Sequence, residues 1–323
     1  FSTFMNRLAI DRDSIEVMAP AGSFEALRAA ISGGANAVYF GVDNLNMRST
    51  SARNFKITDL PLIARYCRLC RVKSYLTLNT IIYDQEMEQA HQLIDAAAHA
   101  GISAIIAADQ SVIDYAHKKG VPLHLSTQLN ISNFETVRFY SKYADVMVLA
   151  RELTLDQISE ISRRMGQEGV TGPSGKPVRL ELFVHGALCM AISGKCYLSL
   201  HQYNHSANRG NCYQACRREY RVEDLESGDQ LEIDGKYIMS PKDLSTIHFL
   251  DRIMAAGIRV LKIEGRARPA EYVHTVASCY NEAVNSILDG TYGPEKIKWW
   301  KERLSMVFNR GFWDGYYLGQ RLG

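Results

Sequence analysis

Four of the seven cysteines fall within 28 residues, at Cys189, Cys196, Cys212 and Cys216. Four thiolates are the ligand set of a structural zinc ion or of a [4Fe-4S] cluster. Zinc sites favour two close pairs, with roughly two to four residues between members. Here six residues separate the first pair and three the second. That spacing points to a cluster, whose larger core accepts wider separations. Zinc is the second occupant that the pattern admits, and unliganded or disulfide-linked cysteines are the third. Gly186, Gly194 and Gly210 let the backbone wrap closely. With all four thiolates on iron no iron stays open to substrate, so the group would serve as an electron relay or a clamp. Cys67 and Cys70 have the spacing of a redox pair but sit on a predicted helix, and with Cys279 they read as core residues.

Something must hold those thiols in place. The first half of the chain alternates short apolar runs with amphipathic stretches. Strands are expected at 15–19, 37–40, 74–78, 104–107, 123–126, 146–149, 180–184 and 260–263. Helices are expected at 23–31, 58–70, 85–100, 111–119, 133–142, 154–165 and 269–288. Ser23 and Thr154 are N-cap residues, and Gly33–Gly34, Gly101 and Gly120 are stops. Eight strands alternating with helices predict an α/β fold, a (β/α)8 TIM-like barrel over residues 14–288. An open parallel α/β sheet is the alternative, and no G-x-G-x-x-G or P-loop supports its nucleotide-binding form. Residues 166–177, rich in Gly and Pro, read as a surface loop. A Cys-rich insertion, 186–239, separates strands seven and eight and ends in a β-like segment, 220–231. In a barrel such a loop leaves from the C-terminal face, where active sites lie. Residues 289–323 form an aromatic C-terminal segment, expected to pack or to make an interface.

Strand-end residues are therefore the first candidates for chemistry. They are Asn79, Asp109, Gln128, Arg151, Glu152, His185, Glu264 and Arg266. Arg151 and Arg266 could hold a dicarboxylate through bidentate contacts. Glu264 or His185 could move a proton. The plain alternative is that these charges make ion pairs at the end of the barrel. His185 and Cys189, four apart, would be the pair of a cysteine peptidase. A thiol that ligates metal is not a free nucleophile, however, and no G-x-S-x-G or H-E-x-x-H motif is present.

Composition narrows the classes. The chain is 46% hydrophobic and 22% charged with a net charge of +2, which fits a globular protein and is less basic than a dedicated nucleic-acid module. No apolar run reaches membrane-spanning length and no signal peptide is evident. An odd cysteine count points to a reducing, cytoplasmic compartment. Phe1 to Phe4 read as a remnant outside the fold.

The stretch Glu181–Ser199, which contains His-Gly-Ala-Leu-Cys-Met-Ala-Ile-Ser-Gly-Lys-Cys, resembles the signature of the collagenase-like peptidase family U-32. The likeness continues through Ser206–Arg217, Tyr237–Leu244 and Leu261–Arg266, and begins at Met18–Gly22 and Ala35–Tyr39. Several members of that family look like oxygen-independent hydroxylation proteins with an iron–sulfur cluster. The resemblance implies a [4Fe-4S] cluster on Cys189, Cys196, Cys212 and Cys216, with tRNA as partner and prephenate as hydroxyl source. The pair Cys212-x-x-x-Cys216 and the tail Asn309–Gly315 are most similar to the branch that forms 5-hydroxyuridine at the tRNA wobble position. Branches acting on ribosomal RNA cytidine and in quinone synthesis are less similar. In the tRNA branch a small β domain is expected beyond the aromatic segment. RNA contact is expected from Arg209, Lys195, Arg217 and Arg218, interleaved with Tyr197, Tyr203 and Tyr213. His201 and His205 are expected at the surface or behind the ligands. An electron-donor protein is a further implied partner.

Overall fold

The computed structural model describes residues 10–49, 52–218, 222–231 and 242–319. Eight parallel strands form its centre: β1 (Glu16–Pro20), β2 (Ala37–Gly41), β3 (Lys73–Leu78), β4 (Ala104–Ala107), β5 (Leu123–Leu125), β6 (Val146–Val148), β7 (Arg179–Gly186) and β11 (Ile258–Ile263). The first seven pair in chain order. β11 pairs with β1, Glu16 opposite Val260, and with β7, Leu261 opposite Leu182, so the sheet closes. This is the (β/α)8 barrel expected from the alternation, and closure excludes the open sheet.

Each strand's alternation sorts its side chains. In β1, Val17 and Ala19 join the apolar layer beneath the helices, while Met18 faces the lumen with Ala37, Tyr39, Tyr75, Ile106, Val146 and Val260. The lumen is also charged. Near its N-terminal end Glu16 accepts hydrogen bonds from Lys73, Tyr75 and Arg179. Burial pushes the Glu16 carboxyl up, but Arg179 and Lys73 pull it down to about 2. One layer higher, Lys262 Nζ donates to Glu181 at 2.7 Å, both side chains almost wholly buried.

The helices that cover the strands are α1 (Phe24–Ser32), α2 (Leu60–Leu69), α3 (Met87–Ala100), α4 (Gln110–Lys118), α5 (Phe134–Tyr140), α6 (Leu155–Gln167), α8 (Leu250–Ala255) and α9 (Ala270–Leu288). Local chemistry sets their starts. Ser23, Asp109, Asn133 and Thr154 cap α1, α4, α5 and α6 with side-chain oxygens. Asp109 is thereby accounted for as a cap rather than a site residue.

The region after β7 holds more structure than its sequence pattern predicts. α7 (Leu198–Tyr203) lies in the cysteine loop, and β8 (Val222–Glu223) and β9 (Gln230–Leu231) form a hairpin. β10 (Asp243–Ser245) runs antiparallel to the end of β7, with Leu244 opposite Gly186. In the tail, α10 (Pro294–Met306) docks on α9, where Trp300 and Arg303 both donate to Glu282. β12 (Phe312–Trp313) pairs with β10, and buried Tyr317 donates to Phe183 O at 2.9 Å. The aromatic segment thus packs on the barrel. Phe1–Phe4, Tyr220, and residues 232–241 of the insertion and its motif lie outside the described residues. No described helix is long and apolar enough to cross a membrane.

Candidate active site at the C-terminal mouth of the barrel

A cavity of about 160 Å³ opens where the strands end, and the cysteine loop forms its roof. Cys189, Cys196, Cys212 and Cys216 all line it. The ends of β2, β3, β7 and β11 supply its floor: Tyr39, Thr77, Asn79, Phe183, Lys262, Glu264 and Arg266. The loops after β5 and β6 supply Gln128 and Arg151, and the loop after β2 supplies Arg48.

The floor is a connected polar network. Arg48 donates to Glu264 Oε1 at 2.8 Å. Tyr39 Oη donates to Ile263 O at 2.8 Å and stands 3.5 Å from Glu264 Oε2. Arg266 is buried and donates to Asn46 Oδ1 at 2.9 Å and to Thr77 Oγ1 at 3.0 Å. Asn79 Nδ2 donates to Ser126 Oγ at 3.3 Å, and that hydroxyl donates to Gln128. Backbone must come close for this to fit. A Cβ on Gly41 would stand 2.4 Å from Arg266 Nη1, and one on Gly22 would stand 2.0 Å from Arg266 O.

The electrostatics follow from burial and pairing. Burial pushes the Glu264 carboxyl up, but Arg48 and Arg266 outweigh it and hold it below the usual carboxylate range. Burial lowers Arg266 to about 10, against the pull of Tyr39 and Glu264, so it stays charged at neutral pH. Arg48 is raised by Glu264, against burial. Of the lining cations Arg48 is offset by Glu264 and Lys262 by Glu181 beneath it, which leaves Arg151, Arg217 and Arg266 without a carboxylate at ion-pair distance among the described residues. Such a wall favours an anionic occupant.

The roof is anchored through Ser193. Its Oγ accepts from Arg151 at 2.7 Å, and its carbonyl accepts from Asn130 at 3.3 Å. Gly210 sits at φ +84°, where a Cβ would meet Asn46 O at 2.3 Å. All four cysteines carry free thiols. Burial raises the Cys196 and Cys216 thiols, and their neighbouring cysteines add to the rise. Among the described residues no three His, Cys, Asp or Glu side chains converge tightly enough for one metal ion. The four thiols are unbridged and all line one cavity, so Cys189, Cys196, Cys212 and Cys216 are the residues that could supply thiolate ligands there.

Of the eight strand-end candidates and the four cysteines, nine line one cavity: Asn79, Gln128, Arg151, the four cysteines, Glu264 and Arg266, while Asp109 and Glu152 lie outside its lining. His185 and Arg209 also lie outside it. A register shift at the end of β7 pairs Phe183 with Lys262 but His185 with Ile263. This bulge turns His185 outward among Tyr272, Tyr280 and Phe312, where burial drops its imidazole to about 3. It does not line the cavity, and among the described residues it makes no hydrogen bond to Cys189. The Arg209 guanidinium lies 3.8 Å over the Tyr83 ring and pairs with Glu86, pinning the roof to the loop after β3. Arg48, Tyr39 and Lys262 were not anticipated as site residues. On the outer rim Lys195, Tyr197, Tyr213 and Arg218 are exposed, and Arg218 lies 5.0 Å over the Tyr203 ring. Cys67 and Cys279 are buried as expected, whereas Cys70 is exposed.

The sequence profile of peptidase family U32 matches residues 22–322. A Porphyromonas gingivalis protein named collagenase is 60% identical over 96% of this chain and 75% of its own length. The tRNA hydroxylation protein P1 of Bacillus subtilis is 32% identical over 98% of this chain and 74% of its own. An Escherichia coli 23S rRNA 5-hydroxycytidine synthase is 34% identical over 87% of this chain and 41% of its own.

Proposed function

The chain belongs to peptidase family U32, and from that premise we propose that it is an RNA-modifying enzyme: an iron–sulfur-dependent, oxygen-independent hydroxylase. Its proposed substrate is the tRNA wobble uridine, converted to 5-hydroxyuridine with prephenate as hydroxyl source. The observation that carries this reading is the shared cavity, with four thiols on the roof and a cationic wall around one ionised carboxylate on the floor. Relatives named as tRNA and rRNA hydroxylation proteins support an RNA substrate at the level of the family.

Cys189, Cys196, Cys212 and Cys216 would hold the cluster, which supplies single-electron transfer when bound. The remaining roles fall to the chain's own side chains. Arg151 and Arg266, on different walls, would each take one carboxylate of a dicarboxylate. Glu264 is held ionised, so it accepts a proton rather than donating one, at the Oε2 that Arg48 leaves free. Lys262, over the rings of Tyr39 and Phe183, would close the floor against water.

A peptidase is the second reading, favoured by the 60% identical relative named collagenase. The placement of His185 works against its Cys–His form. Cleavage of denatured collagen by the native chain, abolished in Cys189→Ala, would establish it and displace the hydroxylase.

The deciding experiment has two stages. Anaerobic purification should give about four irons and four sulfides per chain, lost together in Cys212→Ala. Stoichiometric zinc without sulfide would end the cluster reading. Deletion of the gene should then remove 5-hydroxyuridine from tRNA, with restoration by the native gene and not by Cys212→Ala. Unchanged tRNA nucleosides alongside a lost rRNA hydroxycytidine would redirect the activity to ribosomal RNA.

A further inference from the structure

A smaller recess, about 90 Å³, adjoins the main cavity and carries four guanidinium groups: Arg48, Arg217, Arg268 and Arg310. They come from four places in the chain: the loop after β2, the cysteine loop, the approach to α9 and the tail. Two of them are committed to carboxylates, Arg48 to Glu264 and Arg310 to Asp243 at 2.7 Å. The other two are not. Arg217 donates to the neutral Gln214 at 3.0 Å, and Arg268 lies 3.6 Å over the Phe308 ring. Among the described residues neither has a carboxylate at ion-pair distance. Four positive charges against Glu264 and Asp243 leave the recess formally at +2 among the described residues.

Its construction is specific. Phe308 also lies 5.2 Å from the Arg310 guanidinium, so one tail ring orders two of the four forks. Gly265 and Ala267 present little side chain, which leaves the forks as the chemistry of the wall. The recess is smaller than the main cavity, and its converging forks match a tetrahedral oxyanion. Arg48, Ala187, Gln214, Arg217 and Glu264 line both the recess and the main cavity, so a group covalently joined to the cavity's occupant can reach it. Glu264, the one carboxylate of the wall, is already neutralised by Arg48.

We propose that this recess is a phosphate site that takes a backbone phosphate of single-stranded RNA, next to the nucleotide held in the main cavity. The assignment rests on the RNA reading above and adds to it the element that sets the register of the strand. Planar guanidinium forks are matched to phosphate oxygens. Phosphate contacts position a strand, while base contacts specify it.

The test uses the full chain purified anaerobically, with Arg268→Gln and, to separate charge from folding, Arg268→Lys. In one arm inorganic phosphate replaces chloride at matched ionic strength and the thermal midpoint is read. A saturable rise is expected in the native protein and in Arg268→Lys but not in Arg268→Gln. In the second arm an anticodon stem–loop is titrated across salt concentrations. The slope of log affinity against log salt should be shallower by about 0.7 in Arg268→Gln, the value for one lost contact on a single strand. Equal slopes in native and Gln proteins, with no phosphate-specific rise, would overturn the site while leaving RNA binding intact. A phosphate rise that depends on Arg268, in a protein that binds no RNA, would assign the recess to a free phosphate ester and overturn both the RNA occupant and the reading beneath it.

Discussion

Lys262→Met offers the sharpest physical test of the barrel's charged interior. Lys262 Nζ and Glu181 Oε1 are 2.7 Å apart, with side chains 5% and 0% exposed. At an effective dielectric near 20 their attraction is on the order of 6 kcal/mol, most of it spent on removing both ions from water. The pair as a whole is therefore close to neutral, yet removing one partner strands a buried charge. His124 Nδ1, 3.7 Å from the other Glu181 oxygen, is too distant to hydrogen-bond it. The expected loss is about 3–5 kcal/mol at neutral pH. The double variant Glu181→Met/Lys262→Met should recover most of it. The pH dependence has a definite sign. In the native protein burial raises the Glu181 carboxyl, but Lys262 and His124 outweigh it and its pKa is lowered. Its contribution is therefore present above the unfolded carboxylate range and lost as pH falls through the folded value. In Lys262→Met only His124 still opposes burial, so the carboxyl rises, and the penalty is largest at neutral pH and shrinks on acidification. Urea midpoints across pH for the native chain, the single and the double variants read this directly. Equal destabilisation of single and double variants at every pH would refute the charge argument and reduce the effect to packing.

Other outcomes follow from the same geometry. His185 is buried with its imidazole lowered to about 3, so charging it opposes folding as pH drops below its unfolded value near 6.5. His185→Phe should remove about 2 kcal/mol of the stability lost between pH 7 and pH 5, without moving the pH profile of catalysis. Gly210→Ala forces a Cβ against Asn46 O at positive φ, which should cost about 1–3 kcal/mol and lower the iron content of anaerobic preparations. Arg151→Met should raise the half-saturating prephenate concentration at least about tenfold while leaving RNA affinity unchanged, since a charge-assisted hydrogen bond is worth about 1.5–3 kcal/mol. Equal losses of both affinities would place Arg151 in the folding of the roof instead.

Most of the barrel could be read because short apolar runs alternate regularly with amphipathic helices whose ends carry caps. The site was readable to the extent that strand ends and the cysteine spacing mark it. It failed where geometry overrides counting. Strict alternation along β7 carries His185 inward with Glu181 and Phe183, and only the bulge opposite Lys262 and Ile263 reverses it. Arg48 lies 216 residues from Glu264 in a loop without periodicity, so nothing local announces their pairing. Arg209 looked like a ligand for RNA because its partners, Glu86 and Tyr83, sit across a loop the sequence does not fold back. The short elements β10, α8 and β12 fall outside that regular alternation, so no neighbouring pattern marks them.

The antiparallel pairing of β10 with the last residues of β7 has a thermodynamic consequence. The roof loop departs at Gly186 and the chain returns at Leu244, directly opposite it. Its neck is closed by the barrel's own hydrogen bonds, and β7 meets β11 without help from anything between them. The entropy of bringing the loop's ends together is thus met by the scaffold and not by whatever the thiols bind. Opening of the roof is therefore expected to leave the eight strands folded. If the thiols hold the proposed cluster, a preparation stripped of iron should retain a barrel with slow amide exchange beneath a fast-exchanging roof. Iron and sulfide restored under reducing conditions should rebuild the site on that standing frame, without a cycle of unfolding.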